Sequence, residues 1–551
     1  MPTITLNKKV FERLVGRKMP AGELKETISY IGTDLEGIEG NEIHVEVFPN
    51  RPDMLSEQGF ARAISSFTGI KKGLRGYKAK KSGEKVIIDR SVSKVRPYTA
   101  CAIVKNLDFD DEKIKELVEI QEKLHMTYGR KRKKAAIGIY PYEKIKPPIR
   151  FMASPPKEIR FRPLESEKEM DAAQVLRDTS AGREYGGLLE GLDKYPFFID
   201  SKGNILSMPP IINSHTTGKI SEDTKEVFIE CSGFDFNVLS VCLNIIVTAL
   251  ADMGGEIYSM ELEYCDTKRR TPDLEPRRIK VNPRYINSLL GLNLKEKDIK
   301  DCLERMGYGY SKGTALVPPY RADVLHQVDI VEDIGIAYGY KNFNEEIPKV
   351  ATTAREDPFN IFKGRIADLL TGLGMIETST YNLIDKKTQT KDCGLDVEVV
   401  EIIDPVSRDY NSLRFWMIPS LLNVLKNNKH NEFPQRIFEI GSVFKRSDKE
   451  ESGVSEAARL GVLLCGSKAD FTDIMQVADY IMRMLGAEYE VMETQFPPFI
   501  EGRAGRIAVN GKKVAYIGET HPAVLERFDI ETPVAALELN LTDLFKVLES
   551  A

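Results

Sequence analysis

The strongest constraint on the fold is an internal duplication. The chain opens with "ITLNKKVFERLVG" and then "FPNRPDMLSEQGFARAISSFTGI"; far downstream it reads "IKVNPRYINSLLG" and then "PPYRADVLHQVDIVEDIGIAYGY". Asn7, Leu14 and Gly16 match Asn282, Leu289 and Gly291. Arg51, Asp53, Leu55, Ile64 and Gly69 match Arg321, Asp323, Leu325, Ile334 and Gly339. The first set is offset by 275 positions (282 − 7) and the second by 270 (321 − 51), so only a five-residue loop difference separates the copies. Two copies this far apart are not a stacked repeat array. They predict one small α+β module used twice, with something else between.

Punctuation fills in the rest. A basic, glycine-containing link, "GIKKGLRGYKAKKSGEK", reads as a flexible hinge after the first copy. Strand-like "KVIIDR" and "YTACAIVKNL" open a second region, and "CDTKRRTPDLEPRR" reads as its closing linker. The second copy follows. "EIPKVATTAREDP" then leads to a last domain mixing helices such as "NIFKGRIADLLTGLGM" with strands such as "RIFEIGSVF" and "AARLGVLLCG". The predicted boundaries are 1–82, 83–270, 271–348 and 349–551, which suits 551 residues at about three to five domains. With 78 basic and 83 acidic residues the formal charge is −5, so no global basic field recruits nucleic acid and any such contact needs a local patch. Seven scattered cysteines without a CxxC argue against a zinc site or disulfide scaffold and fit a reducing cytoplasm. The start lacks an apolar signal core, and no apolar run nears the roughly 18 residues that span a bilayer; a cytoplasmic, non-membrane protein is expected.

The segment from Arg321 concentrates charge. A helix after Asp323 would carry Val324, Leu325, Val328, Val331, Ile334 and Tyr338 on one side and Asp329, Glu332 and Asp333 on a neighbouring face. Like charges at such spacings cost a few tenths of a kcal/mol per pair. Asp53 and Asp323, just ahead of their helices, are placed to cap them. The first copy has Gly59, Arg62 and Ala63 where the second has the three acids, so the module folds without an acidic face. A hard cation with oxygen ligands such as Mg²⁺, a basic partner surface, or plain solvation would each offset the repulsion.

"VFPNRPDMLSEQGFARAI", "LSMPPIINS", "FIECSGFD", "YRADVLHQVDIVEDIGIAYGY" and "LRFWMIPSLL…RIFEIGSVF" occur in an order that resembles the β subunits of phenylalanyl-tRNA synthetases, of the archaeal/eukaryotic type. The resemblance spans essentially the whole chain. It implies an α+β multidomain architecture: a duplicated small, DNA-binding-like module, a central editing (B3/B4-like) domain, a second module copy (B5-like), and a C-terminal antiparallel-sheet domain similar to a class II synthetase core but without its catalytic motifs. It implies an α subunit as partner in an (αβ)₂ heterotetramer, tRNA(Phe) as substrate, ATP and Mg²⁺ as cofactors of the complex, and synthesis in α. It also implies Asp323, Asp329, Glu332 and Asp333 as Mg²⁺ ligands.

Class II cores grip ATP with an arginine and nearby glutamate after a strand, and with a later glycine-rich segment ending in arginine. Here Arg446 has no Arg-x-Glu after it, and "GRAGR" (Gly502, Gly505, Arg506) lacks the Gly-x-Gly-x-x-Arg spacing and reads as a turn. Editing answers a physical need, because an apolar pocket rejects an added hydroxyl only about a hundredfold. The resemblance implies Ser207, Glu230 and Ser232 as polar residues of the editing pocket, where relatives often carry aspartate at 230 and threonine at 232. His125 and His215 are candidate bases whose plainer reading is a surface or capping role. Arg130, Lys131, Arg132, Lys133 and Lys134 form a cationic run suited to tRNA phosphates. The alternative is a tRNA-binding scaffold that has lost editing.

Overall fold

A computed structural model describes residues 2–164 and 166–550. They fold as two compact units that divide between Ile347 and Pro348. The four regions of sequence thus become two units, because both module copies share one continuous core with the helix side of the central sheet.

The duplication is a structural one. In the first copy, strands Thr3–Asn7, Asp34–Glu39 and Glu42–Glu46 form a sheet with the third strand in the middle; Arg277–Lys280, Gly309–Ser311 and Thr314–Val317 repeat that order. Helices Lys8–Val15 and Pro283–Leu290 start and stop alike. Asn7 accepts from the Lys9 and Val10 amides, Asn282 from those of Arg284 and Tyr285. Gly16 and Gly291 close the helices at φ 98° and 66°, a left-handed conformation that costs glycine nothing. Each copy ends in a core helix, Glu57–Phe67 or Gln327–Tyr338.

Those last helices are not capped by the aspartates. Ser56 Oγ accepts from the Gly59 amide in the first copy. In the second, Asp329 reaches back to the Leu325 and His326 amides, both at 2.7 Å. Asp53 and Asp323 instead take the guanidinium two residues earlier, bidentately: Arg51 at 2.9 and 2.8 Å, Arg321 at 2.8 and 2.7 Å. The basic link is not a free hinge either. Lys72 pairs with Asp301, the Gly73 amide donates to Glu304 O, and Tyr77 donates to Asp252. The expected linker near 270 contains a strand, Lys268–Thr271, paired with Glu256–Glu263.

The central region is a ten-stranded mixed sheet. Val227–Gly233 lies antiparallel between Tyr98–Lys105 and Ala135–Pro141, and is buried throughout. Helix Phe236–Asp252 covers one face, and the other faces the strand Ile205–Met208 and its neighbours.

The C-terminal unit is a seven-stranded sheet, antiparallel except at the Ile376–Glu377 edge. Helices Pro358–Gly372, Phe471–Met484 and Leu541–Glu549 pack on one face, Ile418–Asn427 and Pro522–Arg527 on the other. "GRAGR" is strand, not turn, within Phe499–Val509. Arg506 lies over the Tyr516 ring, its Cζ 3.6 Å from the centroid. Gly441 and Gly461 let the second layer approach: a Cβ on Gly441 would stand 2.2 Å from Arg414 Nη2, and one on Gly461 2.8 Å from Met417 Cβ.

Candidate active site

A cavity of about 510 Å³ opens on the central sheet. Its floor follows from register. Glu230 sits opposite Cys101 on one neighbouring strand and Gly138 on the other, the edge strand, so its side chain rises from a strand flanked on both sides. Ser207 and Asn213 face each other across a short antiparallel pair and supply the wall. Ile137, Ile139, Pro209 and Ile211 give the apolar lining.

Two oxygens of the lining are buried without a partner, Ser207 Oγ and Glu230 Oε2, as is Arg132 Nε. The other Glu230 oxygen, Oε1, accepts from Tyr140 Oη at 3.1 Å, and the same hydroxyl lies 3.3 Å from Asn213 Oδ1. Burial pushes the Glu230 carboxyl up to about 8, against the lowering effects of the Tyr140 hydrogen bond, the Arg96 charge and Ser232.

Ser232, predicted beside them, is not in the cavity lining. Two residues along the same strand face, its Oγ accepts from Arg96 Nε at 3.1 Å and its carbonyl from Arg96 Nη2. It still acts on the Glu230 carboxyl, whose ionised form both it and Arg96 favour. His125 is neither a surface residue nor a free base. It is buried, Nε2 accepting from the Ile137 amide at 2.8 Å and Nδ1 facing Glu122 at 3.2 Å. With both nitrogens engaged, it fixes the helix Asp111–Met126 to the sheet. His215 does border the cavity. Tyr140 and Asn213 escaped the sequence reading; Tyr140 sits in the uniformly apolar-looking run "AAIGIYP", where nothing signals a polar contact.

The cationic run divides. Arg130, Lys131 and Lys133 are exposed. Arg132 turns inward, donating to Ile211 O (2.7 Å) and Glu122 (3.0 Å) and stacking on Tyr185. It shapes the cavity wall, which removes it from the set free to meet phosphates. Lys134 lies over the Tyr128 ring.

The four carboxylates expected to hold Mg²⁺ do not converge. Asp333 points into the core, because it lies on the side of the helix that buries Ile330, Ile334 and Ala337. There it accepts from Arg321 Nη2 at 2.7 Å and from the Tyr308 hydroxyl. Asp323 takes the rest of the same guanidinium, Asp329 serves the helix start, and Glu332 is exposed. Leu325 and Val328, expected inside, are exposed. Among the described residues no three His, Cys, Asp or Glu side chains form a group able to hold a metal. As placed, this donor set does not fit a divalent cation, since an internal one, Arg321, already takes two of its members.

Residues 279–340, the second module copy, match the tRNA synthetase B5 domain, which puts the chain in the class of tRNA synthetase components. Residues 344–541 match the phenylalanyl tRNA synthetase beta chain CLM domain. The phenylalanine–tRNA ligase beta subunits of Pyrococcus abyssi and Pyrococcus horikoshii are each 42% identical, over 99% of this chain and 100% of theirs. That of Archaeoglobus fulgidus is 38% identical over 99% of both. A crystal structure of an N-terminal fragment of the Pyrococcus horikoshii subunit superposes with a TM-score of 0.59 at 41% identity, covering 62% of this chain and 100% of the fragment. The chain belongs to the phenylalanine–tRNA ligase beta-subunit family.

Proposed function

We propose that the chain serves an α–β ligase complex in two ways: it hydrolyses tyrosine wrongly esterified to tRNA(Phe) in its central cavity, and its C-terminal unit acts as a non-catalytic partner of the α subunit. Phenylalanine activation with ATP and Mg²⁺ takes place in α. The observation that carries the hydrolytic reading is the pair of buried, unpartnered oxygens, Ser207 Oγ and Glu230 Oε2, in a cavity of mixed polar and apolar lining. Its 510 Å³ lies within the ~300–1,000 Å³ of small-molecule sites. A buried oxygen without a partner costs about 1–3 kcal/mol, which a ligand hydroxyl repays and a ligand lacking it does not. Such a site prefers tyrosine to phenylalanine, the opposite selectivity to the synthetic pocket. In its ionised form Glu230 accepts from the phenolic hydroxyl, and Ser207 orients the ester or a water. Exposed Arg130, Lys131 and Lys133, near the Arg132 wall, meet the acceptor-end phosphates.

The non-catalytic reading of the C-terminal unit is supported by its filled sheet faces. Arg414, Met417 and the helix Ile418–Asn427 lie on one face, and Glu538 receives the Met417 amide and Arg459 beneath them. Two of the cations over that face are already engaged within the unit, Arg414 by Glu439 and Arg459 by Glu538.

The test supplies the α–β complex with tyrosine-charged tRNA(Phe). Wild type should release tyrosine, and the double substitution Ser207→Ala, Glu230→Ala should not. A double variant as fast as wild type moves the site elsewhere. No release above spontaneous hydrolysis by wild type leaves a scaffold.

A further inference from the structure

We propose that Tyr140 is the positioning residue of the cavity: its hydroxyl holds Glu230 by Oε1 so that Oε2 is presented to the bound tyrosyl group. The inference rests on the hydrolytic reading above. A glutamate arm left free in a cavity of this size samples several rotamers, and only one aims Oε2 at a ligand. The structure removes that freedom. Tyr140 is fully buried and its ring stacks on Phe228, centroids 5.8 Å apart and planes 28° off parallel. The phenolic oxygen is therefore a fixed point, 3.1 Å from Glu230 Oε1.

Gly138 makes the arrangement possible. It lies directly opposite Glu230 in the sheet and two residues before Tyr140, on the same face. A Cβ there would fall 2.0 Å from Tyr140 Oη and 2.7 Å from Glu230 Oε1. Any other residue would evict the pair.

The phenol has one proton and two acceptors in range, Glu230 Oε1 and Asn213 Oδ1. An ionised carboxylate takes it in preference to an amide oxygen. The other groups facing Glu230 are Arg96 and Ser232, which favour its charge, and Cys101 on the strand across, buried and neutral; Ser207 faces the cavity from the opposite wall. Tyr140, 3.1 Å from Oε1, favours the ionised form more than Arg96 or Ser232 does, so its loss raises the pH at which Glu230 ionises.

The experiment compares wild type and Tyr140→Phe in the α–β complex, following tyrosine release from tRNA(Phe) across pH, with phenylalanine charging as the measure of an intact complex. Near pH 7 the variant should lose roughly tenfold or more in kcat/KM, the size expected for a hydrogen bond to a charged group. The rising limb of kcat/KM should move to higher pH, a displacement that a merely structural defect does not produce. Adding Glu230→Gln to Tyr140→Phe should cost little more than Glu230→Gln alone, because the two act as one unit. An unchanged pH profile, or losses that multiply independently, overturns the inference and leaves the hydrolytic reading intact. Wild type that releases no tyrosine overturns both. If Tyr140→Phe fails to assemble, Gly138→Ala drives the Tyr140 hydroxyl and Glu230 apart; an unmoved limb in that variant also overturns the inference.

Discussion

Arg321→Met tests whether the acidic cluster is neutralised from within. Arg321 is almost fully buried and joins Asp323 (15% exposed side chain) to Asp333 (7% exposed). Methionine keeps much of the volume and deletes the charge, leaving two carboxylates facing each other. Removing one partner of a buried pair costs about 3–5 kcal/mol. Asp323 retains some water, which favours the lower part of that range. With an m-value near 3 kcal/mol/M, the urea midpoint of the N-terminal unit should fall by about 1 M. The sign with pH is fixed by Asp323. Burial pushes its carboxyl up, but the Arg321 charge and hydrogen bonds outweigh that and hold it below the usual range. The stabilisation is therefore complete above the ordinary carboxylate value of about 4 and lost as pH falls through the lower folded value. The gap between wild type and variant should close in acid. In the wild-type chain, millimolar Mg²⁺ or a chelator should leave the midpoint unmoved. A loss below about 1 kcal/mol would refute the reasoning. So would Mg²⁺ stabilising wild type by about 1.4 kcal/mol, the effect of a ligand at tenfold its Kd.

Three further outcomes are expected. Tyrosine release by wild type should climb with pH through about 8, as Glu230 ionises, while Glu230→Gln should be slow and flat; a rate falling over that range would assign Glu230 the opposite protonation state. Alanine at Arg130, Lys131 and Lys133 together should lower the salt slope of tRNA binding by roughly 2–3 with folding unchanged, whereas Arg132→Ala should lower thermal stability, since its donors hold Ile211 O and Glu122. Two helical glycines should respond oppositely to alanine. A Cβ at Gly59 would meet Asp53 O at 1.9 Å, so Gly59→Ala destabilises, while Gly364 faces open space and Gly364→Ala should gain about 0.5–1 kcal/mol by urea titration.

What the sequence made legible was local and repeated. Asn7 and Asn282 cap, Gly16 and Gly291 stop, and the module between them could be read twice because each signal acts within a few residues. The strands and helices of the C-terminal unit were visible for the same reason. What stayed hidden depended on partners distant in the chain. Asp333 looks like a solvent-facing acid beside Asp329 and Glu332 until Arg321 and Tyr308 converge on it. Ser232 looks like a pocket residue until Arg96, far upstream, reaches its hydroxyl. Tyr140 and Glu230 belong to different strands, and periodicity cannot say that a tyrosine will lean back over a glycine to meet a carboxylate. Glu230 and Ser207 were found only through the family resemblance.

The docking of the two module copies into one core has a consequence for synthesis on the ribosome. Arg305 donates both to Phe67 O and to Ala337 O, so the first copy's last helix is tied to the second copy's last helix. The first copy leaves the exit tunnel with that face uncovered. At ~5–20 residues per second, the 270 residues between Phe67 and Ala337 (337 − 67) take about 15–55 s to appear. For that interval Leu55, Phe60, Ile64 and Phe67 lack part of the core they later share. The nascent chain must either hold a half-built module soluble or hand it to a chaperone, and a ribosome stalled between the two copies would strand it in that state.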